Sequence, residues 1–367
     1  VKLYCKDSKL LNKDLKPNSV HAVITDPPYG MNFMGLDWDK VLPPLEIWQA
    51  CFEALRPGGF LLAFGHTRLY HRLGVQLEDA GFEIKDCLCW GYATGYPHSY
   101  DISKAIDKHF GAEREVVGKR VHPTLKNKPK VKSNAYHADT LTSDENIESW
   151  DITAPATEEA KAWEGWGTQL KTAWEPIIMA QKPLEGSYVE NILKWQVGAL
   201  NIDACRIPYE SEEDKKSLET FLNFAGKEHG DAEYFSMNEG GKKQVNVHPG
   251  GRWPANLLWL DPLIANYDRF FMVPKPSKHE KRSYNTHDTV KPVELMERLI
   301  RLVSPKPARI SGDVNVLDPF MGSGTTGKAC KKLRRRFIGY ENDPESFEIA
   351  KKRLKETTHV DIFEGSL

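Results

Sequence analysis

The sequence predicts an α/β fold in which a mostly parallel sheet is wound on both faces by helices. Three observations carry this expectation. The apolar, β-branched runs Val20–Thr25 and Val314–Leu317 lead into the loops Asp26-Pro27-Pro28-Tyr29 and Asp318-Pro319-Phe320-Met321-Gly322-Ser323-Gly324-Thr325-Thr326. Both loops thus fall at the carboxyl end of a buried strand, where open α/β sheets place their ligands. The first 110 residues alternate strand and helix signals, and the chain from 314 onward reads as a β-loop-α-β-α unit.

In chain order, a strand ends at Asp26 and a helix spans about Leu45 to Leu55. The cluster Arg56-Pro57-Gly58-Gly59 is expected to break the chain before the strand Phe60–Phe64. A helix from about Arg68 to Ala80 stops at Gly81, and the strand Phe82 to Trp90 follows. Residues 111–165 are polar, without a sustained period, and too long for an ordinary connection. Trp174–Ala180 is a further buried strand. Residues 185–285 are irregular, with Gly240-Gly241 and Gly250-Gly251, and read as a smaller module. Pro292 suits a first helical turn, with Val293, Met296, Ile300 and Val303 repeating at helix spacing. Strand 314–317, helix 325–333, strand Arg336–Tyr340 and a helix from about Pro344 complete the chain. The expected division is 1–110 and 286–367 as two halves of one domain, with 166–184 belonging to it. Residues 111–165 form a basic and polar insertion, and 185–285 a recognition module.

Composition is that of a soluble globular protein, with 40% hydrophobic and 28% charged residues and a mean hydropathy of −0.52. No apolar run is long enough to span a bilayer, and the start lacks a charged stretch followed by an apolar one, so a cytosolic protein without a membrane partner is expected. The six cysteines are scattered. The close pair Cys87-Leu88-Cys89 has a one-residue spacer in a strand-like stretch, which favours buried thiols over zinc. Net charge is −1, a weak argument against a nucleic-acid partner. The charge is segregated, however. Residues 119–132 carry Lys119, Arg120, Lys126, Lys128, Lys130 and Lys132 without an acid, and Lys275, Lys278, Lys281 and Arg282 form a second cluster. Such runs are commonly solvated faces; these permit a DNA groove without establishing one.

Gly322 and Gly324 allow positive φ and close backbone approach, and the following helix supplies unpaired N–H groups. Gly322-x-Gly324-x-x-Gly327 also fits the dinucleotide pattern, so a nicotinamide or flavin dinucleotide competes with S-adenosylmethionine here. Asp318 is better matched to a cationic or amino-bearing ligand than to a phosphate. Glu341, 17 residues after Gly324, suits the ribose hydroxyls of either cofactor.

In the first loop, the two prolines fix the backbone and hold the Asp26 carboxylate, the Pro27 carbonyl and the Tyr29 ring in a set relation. Two acceptors so placed can bind the N–H groups of a nucleobase amine and favour a pyramidal, attacking nitrogen, while Tyr29 stacks on a flipped base. Direct in-line transfer needs positioning and electrostatics rather than a covalent enzyme intermediate. An isolated match of this kind is ordinarily a proline-stiffened turn; its pairing with the glycine loop makes the chemical reading the stronger one.

These residues resemble the amino-methylating DNA methyltransferases, and the motif order is similar to their β arrangement. Asp26–Gly35, Trp38-Asp39, Leu55–Gly65, Gly95–Ser99, Gly165–Thr168, Glu175-Pro176 and Gly251–Pro254 resemble the methylases of phages and prophages. Residues 125–160 and 210–248 match least. The resemblance implies a Rossmann-like S-adenosylmethionine-dependent methyltransferase fold with an inserted target-recognition module. It implies cofactor binding by Asp318, Pro319, Phe320, Gly322, Gly324, Thr325 and Glu341. Thr289 and Lys291, from His287-Asp288-Thr289-Val290-Lys291-Pro292, would border the cofactor's methionine end, and Asp7 its adenine unless it is a surface turn residue. Catalysis is expected at Asp26, Pro27, Pro28 and Tyr29, with Phe33 and Trp38 lining the base pocket or lying in the core, and Lys119 and Arg120 touching DNA. The expected reaction is methylation of adenine N6 in double-stranded DNA after base flipping, because the first motif residue is Asp rather than Ser. Cytosine N4, an RNA substrate and a non-catalytic DNA-binding regulator are the alternatives. A homodimer is compatible with this reading, and the sequence names no restriction enzyme partner.

Overall fold

The computed structural model describes residues 1–32, 37–92, 99–121, 149–218, 247–259, 271–272, 284–285 and 290–357. These form two compact units, one of residues 1–32, 37–93 and 174–367 and the other of 33–36 and 94–173.

The first unit is built on a nine-stranded sheet. Its strands are β1 (Lys2–Cys5), β2 (Val20–Thr25), β3 (Leu55–Phe64), β4 (Glu83–Gly91), β7 (Trp174–Gln181), β8 (Leu257–Trp259), β9 (Phe271–Met272), β10 (Asn315–Asp318) and β11 (Arg336–Glu341). The order across the sheet is β1-β11-β10-β2-β3-β7-β4-β8-β9. β7 runs antiparallel to both its neighbours, and the other pairings are parallel.

Alternation along the strands explains the two cores. Ala22, Ile24, Leu62 and Met179 point to the face covered by the helices Val293–Val303, Thr325–Lys332 and Pro344–Glu356. Val23, Leu61, Ala63, Ile178 and Leu317 point to the face covered by the helices Leu45–Ala54 and Tyr70–Asp79. Side chains of successive strand residues leave opposite faces, so continuous apolar runs serve both layers. This is the expected doubly wound α/β architecture.

Several elements differ from the sequence expectation. Arg56-Pro57-Gly58-Gly59 does not end the chain's extended run; it lies inside β3 as an irregularity, the register passing from Val20↔Leu55 to Ala22↔Phe60. Gly58 takes φ +77°, and its N–H donates to the carbonyls of Lys182 and Pro183, so the breaker residues make a bulge that stays hydrogen-bonded. Pro292 caps the helix Val293–Val303 rather than entering its first turn. In the described part of 185–285, β8 pairs with β4 and the helix Tyr188–Trp195 packs on β3. Strand β1 was not expected, because its short run Lys2–Cys5 lacks a sustained pattern.

The second unit contains the expected irregular segment, but with regular structure. β5 (Val116–Val121) and β6 (Ser149–Thr153) form an antiparallel pair. The helix Ile102–Phe110 carries the buried Asp107, which accepts from the Ala156 and Thr157 amides, the Thr157 hydroxyl and Arg114. Burial alone would raise this carboxyl, but those donors hold it down at about 2. Among the described residues no helix is long and apolar enough to cross a membrane, and no cluster of His, Cys, Asp and Glu is placed to hold a metal ion.

Candidate active site

The two loops read from the sequence meet because their strands are neighbours. β10 pairs with β2 in parallel, Leu317 opposite Val23, so Asp318 and Asp26 leave the same edge of the sheet. Thr25 Oγ1 donates to Asp318 Oδ1 at 2.8 Å, joining the loops directly. Asp318 Oδ1 also accepts from the Phe320 amide at 3.1 Å, and Oδ2 from Thr326 Oγ1 at 2.6 Å. Both oxygens of Asp318 are therefore engaged within the chain, with two hydroxyls and an amide. Burial pushes its pKa up to about 7, against the pull of these donors.

The glycine loop is held from two sides. Glu341, ending β11, accepts from the Gly322 amide at 2.9 Å through Oε2 and from the Asp343 amide at 2.9 Å through Oε1. Gly324 stands at φ +78°, and a Cβ there would lie 3.1 Å from Ala350 Cβ, so a side chain is doubly disfavoured. Buried Arg353 donates from Nη1 to the Ser323 carbonyl at 2.6 Å, to Ser323 Oγ at 2.7 Å and to Thr325 Oγ1 at 3.3 Å. Pro319 is buried, and the Phe320 ring tilts against Trp48 at 6.0 Å. Asp7 is exposed and accepts from the Lys9 amide, capping a short 3-10 turn just beyond β1. β1 pairs with β11, Cys5 opposite Glu341, so Asp7 follows the same sheet edge.

The Asp26 loop is cradled by one carboxylate. Buried Asp39 accepts from the backbone amides of Tyr29 at 2.6 Å, Gly30 at 3.0 Å and Met31 at 3.1 Å. Three charge-assisted bonds to successive amides fix the turn that presents Asp26. Pro27 is buried and Pro28 half-buried. Asp26 Oδ1 accepts from the Tyr29 hydroxyl at 2.7 Å, and Oδ2 from Lys291 Nζ at 2.5 Å. Lys291 also stands 3.4 Å from Glu175 Oε2, and the Tyr29 hydroxyl 3.2 Å from the same atom. Burial raises the Tyr29 phenol well above its usual range, and the charges of Asp26 and Glu175 add to it. Burial opposes the charge on Lys291, but the same two carboxylates outweigh it and hold the ammonium protonated.

The profile of the DNA methylase family of N6 and N4 methyltransferases matches residues 20–352. The chain belongs to that family. S-adenosylmethionine is its methyl donor. The methylase is 24% identical to the type II methyltransferase M.HindIII of Haemophilus influenzae, over 96% of this chain and 94% of that protein. It is 52% identical to M2.DpnII of Streptococcus pneumoniae over 69 residues, 19% of this chain and 24% of that one. Among solved structures, the M1.HpyAVI–SAM complex is similar over 96% of this chain and 98% of that chain, at 21% identity and a TM-score of 0.43.

The methylase thus brings Asp26, Tyr29, Lys291, Asp318 and Glu341 to one sheet edge. Lys291, expected beside the cofactor's methionine end, has its ammonium on Asp26. Trp38 is half exposed and is not core. Lys119 is an exposed residue of β5 in the second unit, and Arg120 follows it on the same strand. Phe33 and Thr289 lie outside the described residues. Sequence reasoning assigned no role to Asp39, Glu175, Thr25 or Arg353. Asp39 and Glu175 had a signal: each is an acid beside a family-like aromatic or proline, Trp38-Asp39 and Glu175-Pro176. Arg353 had none, since a basic residue in a helix rich in Lys reads as solvated.

Proposed function

We propose that this methylase transfers a methyl group from S-adenosylmethionine to adenine N6 in double-stranded DNA, with Asp26 accepting the target amine. One observation carries the reading: a carboxylate at a strand end is held by two donors, and its loop is joined to the glycine loop through Thr25 and Asp318. The glycine loop fits the cofactor. Gly322 and Gly324 take positive φ, and the Glu341 carboxylate, which accepts the Gly322 and Asp343 amides, keeps acceptor capacity for ribose hydroxyls.

The cofactor supplies an electrophilic methyl group. Asp26 and the Pro27 carbonyl receive the amine hydrogens, orienting the nitrogen lone pair along the line of transfer. Lys291 pairs with the Asp26 carboxylate, and the amine's proton leaves toward that carboxylate. The Tyr29 ring, tilted against His66 at 6.3 Å, is the stacking surface for the flipped base. The Asp in the first motif position supports N6 over N4. The exposed Lys119 and the basic segment after it contribute to DNA contact.

The test is methyl transfer to unmethylated duplex DNA by Asp26→Ala. Transfer is expected to vanish while S-adenosylmethionine binding stays within about threefold, since the cofactor loop is held by other residues. Retained transfer would sink the assignment.

A further inference from the structure

Glu175 is the second residue of β7, which among the described strands alone runs antiparallel to both neighbours. That direction brings its first residues to the edge where β2 and β10 end, beside Asp26. The carboxylate is 16% exposed and surrounded by donors: the Tyr29 hydroxyl at 3.2 Å, Lys291 Nζ at 3.4 Å, and the hydroxyl of buried Tyr92.

The first two of these donors are also the two that hold Asp26, at 2.7 and 2.5 Å. This sharing has a consequence for acceptor capacity. Each carboxylate oxygen has about two lone-pair sites. With no second carboxylate, a phenol and an ammonium buried at this edge would satisfy themselves wholly on Asp26. The amine of a target base would then compete with both. Glu175 offers an alternative acceptor for each donor and balances the ammonium, leaving sites on Asp26 open on the side away from Tyr29 and Lys291.

We propose that Glu175 is a positioning residue for methyl transfer, sharing Tyr29 and Lys291 with Asp26 so that acceptor sites on Asp26 stay open to the target amine. The inference rests on the reading of Asp26 as the amine acceptor. It assigns Glu175 no contact with the cofactor, and that separates it from a residue that merely supports the fold.

The experiment measures single-turnover methyl transfer to duplex DNA, S-adenosylmethionine binding by calorimetry and thermal melting. It uses the full chain and the variants E175Q, E175D, Y29F and E175Q/Y29F. E175Q keeps the shape and loses the charge. It is expected to slow transfer by about 10²-fold, the scale of a misplaced reacting group, with cofactor affinity within twofold of the unaltered protein. E175D keeps the charge and is expected to recover part of the rate. Because Glu175 acts in part through Tyr29, the two effects should combine in E175Q/Y29F to less than their product. Transfer by E175Q at the unaltered rate, or effects that multiply in the double variant, overturns the proposal. If E175Q does not fold, E175D decides it: a rate equal to that of the unaltered protein supports a charge requirement, and loss of cofactor binding contradicts it. Absence of transfer by the unaltered protein would instead count against the functional reading on which the proposal stands.

Discussion

Thr25 and Asp318 are 293 residues apart in the chain, and the hydroxyl of one donates to the carboxylate of the other at 2.8 Å. Thr25 is the last residue of β2 and Asp318 the last of β10, so the bond closes the seam between adjacent parallel strands. The loop proposed to hold the amine and the loop proposed to hold the methyl donor are thereby fixed to each other. In-line transfer needs that fixity, because rate depends steeply on the separation and alignment of the reacting atoms.

Asp318 gives this joint a pH dependence. Its folded pKa, about 7, lies above the ordinary value of 3.8, so the folded protein holds this proton more tightly than the unfolded chain. The associated stability is fully present below the ordinary value and is lost as pH rises through about 7. A shift of this size corresponds to a contribution on the order of 4 kcal/mol across that window. Asp318→Asn, which cannot ionise, is expected to flatten the fall in stability between about pH 4 and pH 7. Urea unfolding midpoints of both proteins across that range check the slope.

The cradle at Asp39 predicts a defect in transfer with binding spared. Asp39→Ala leaves the amides of Tyr29, Gly30 and Met31 without their shared acceptor. Leaving buried donors unmet costs about 1–3 kcal/mol each where water cannot replace the acceptor. The loop should loosen, the transfer rate should fall by about 10²-fold, and cofactor affinity should change little. Single-turnover rates and calorimetry together separate these effects.

Gly324→Ala should do the reverse. A methyl group at φ +78°, 3.1 Å from Ala350 Cβ, forces the loop or the helix Pro344–Glu356 to shift. Strain of about 1–3 kcal/mol is expected, appearing first as weakened S-adenosylmethionine binding. Restored transfer at saturating cofactor would confirm that the damage lies in binding.

The loops and the strands feeding them were legible because they are local: an apolar run ends in a carboxylate, and prolines or glycines set the turn. Their adjacency was not, since no local pattern states that β10 lies beside β2. The antiparallel sense of β7 was equally hidden. Trp174–Ala180 reads alike in both directions, yet its direction decides that Glu175 reaches the active edge. Arg56–Gly59 misled because proline and glycine mark bulges as well as breaks, and only the partner strand distinguishes them. Buried charge was the other blind spot. Arg353 sits among lysines in sequence but is 1% exposed, and its burial depends on the Ser323 carbonyl and hydroxyl it meets.

The central claim is that Asp26 presents an adenine amine to S-adenosylmethionine. It is tested most directly by incubating the protein with unmethylated duplex DNA and labelled S-adenosylmethionine, digesting to nucleosides and identifying the labelled one by mass spectrometry. The account predicts label in N6-methyldeoxyadenosine, and none with Asp26→Ala. Label in N4-methyldeoxycytidine would contradict the base assignment, and label in neither nucleoside would contradict the amino-methylation account itself.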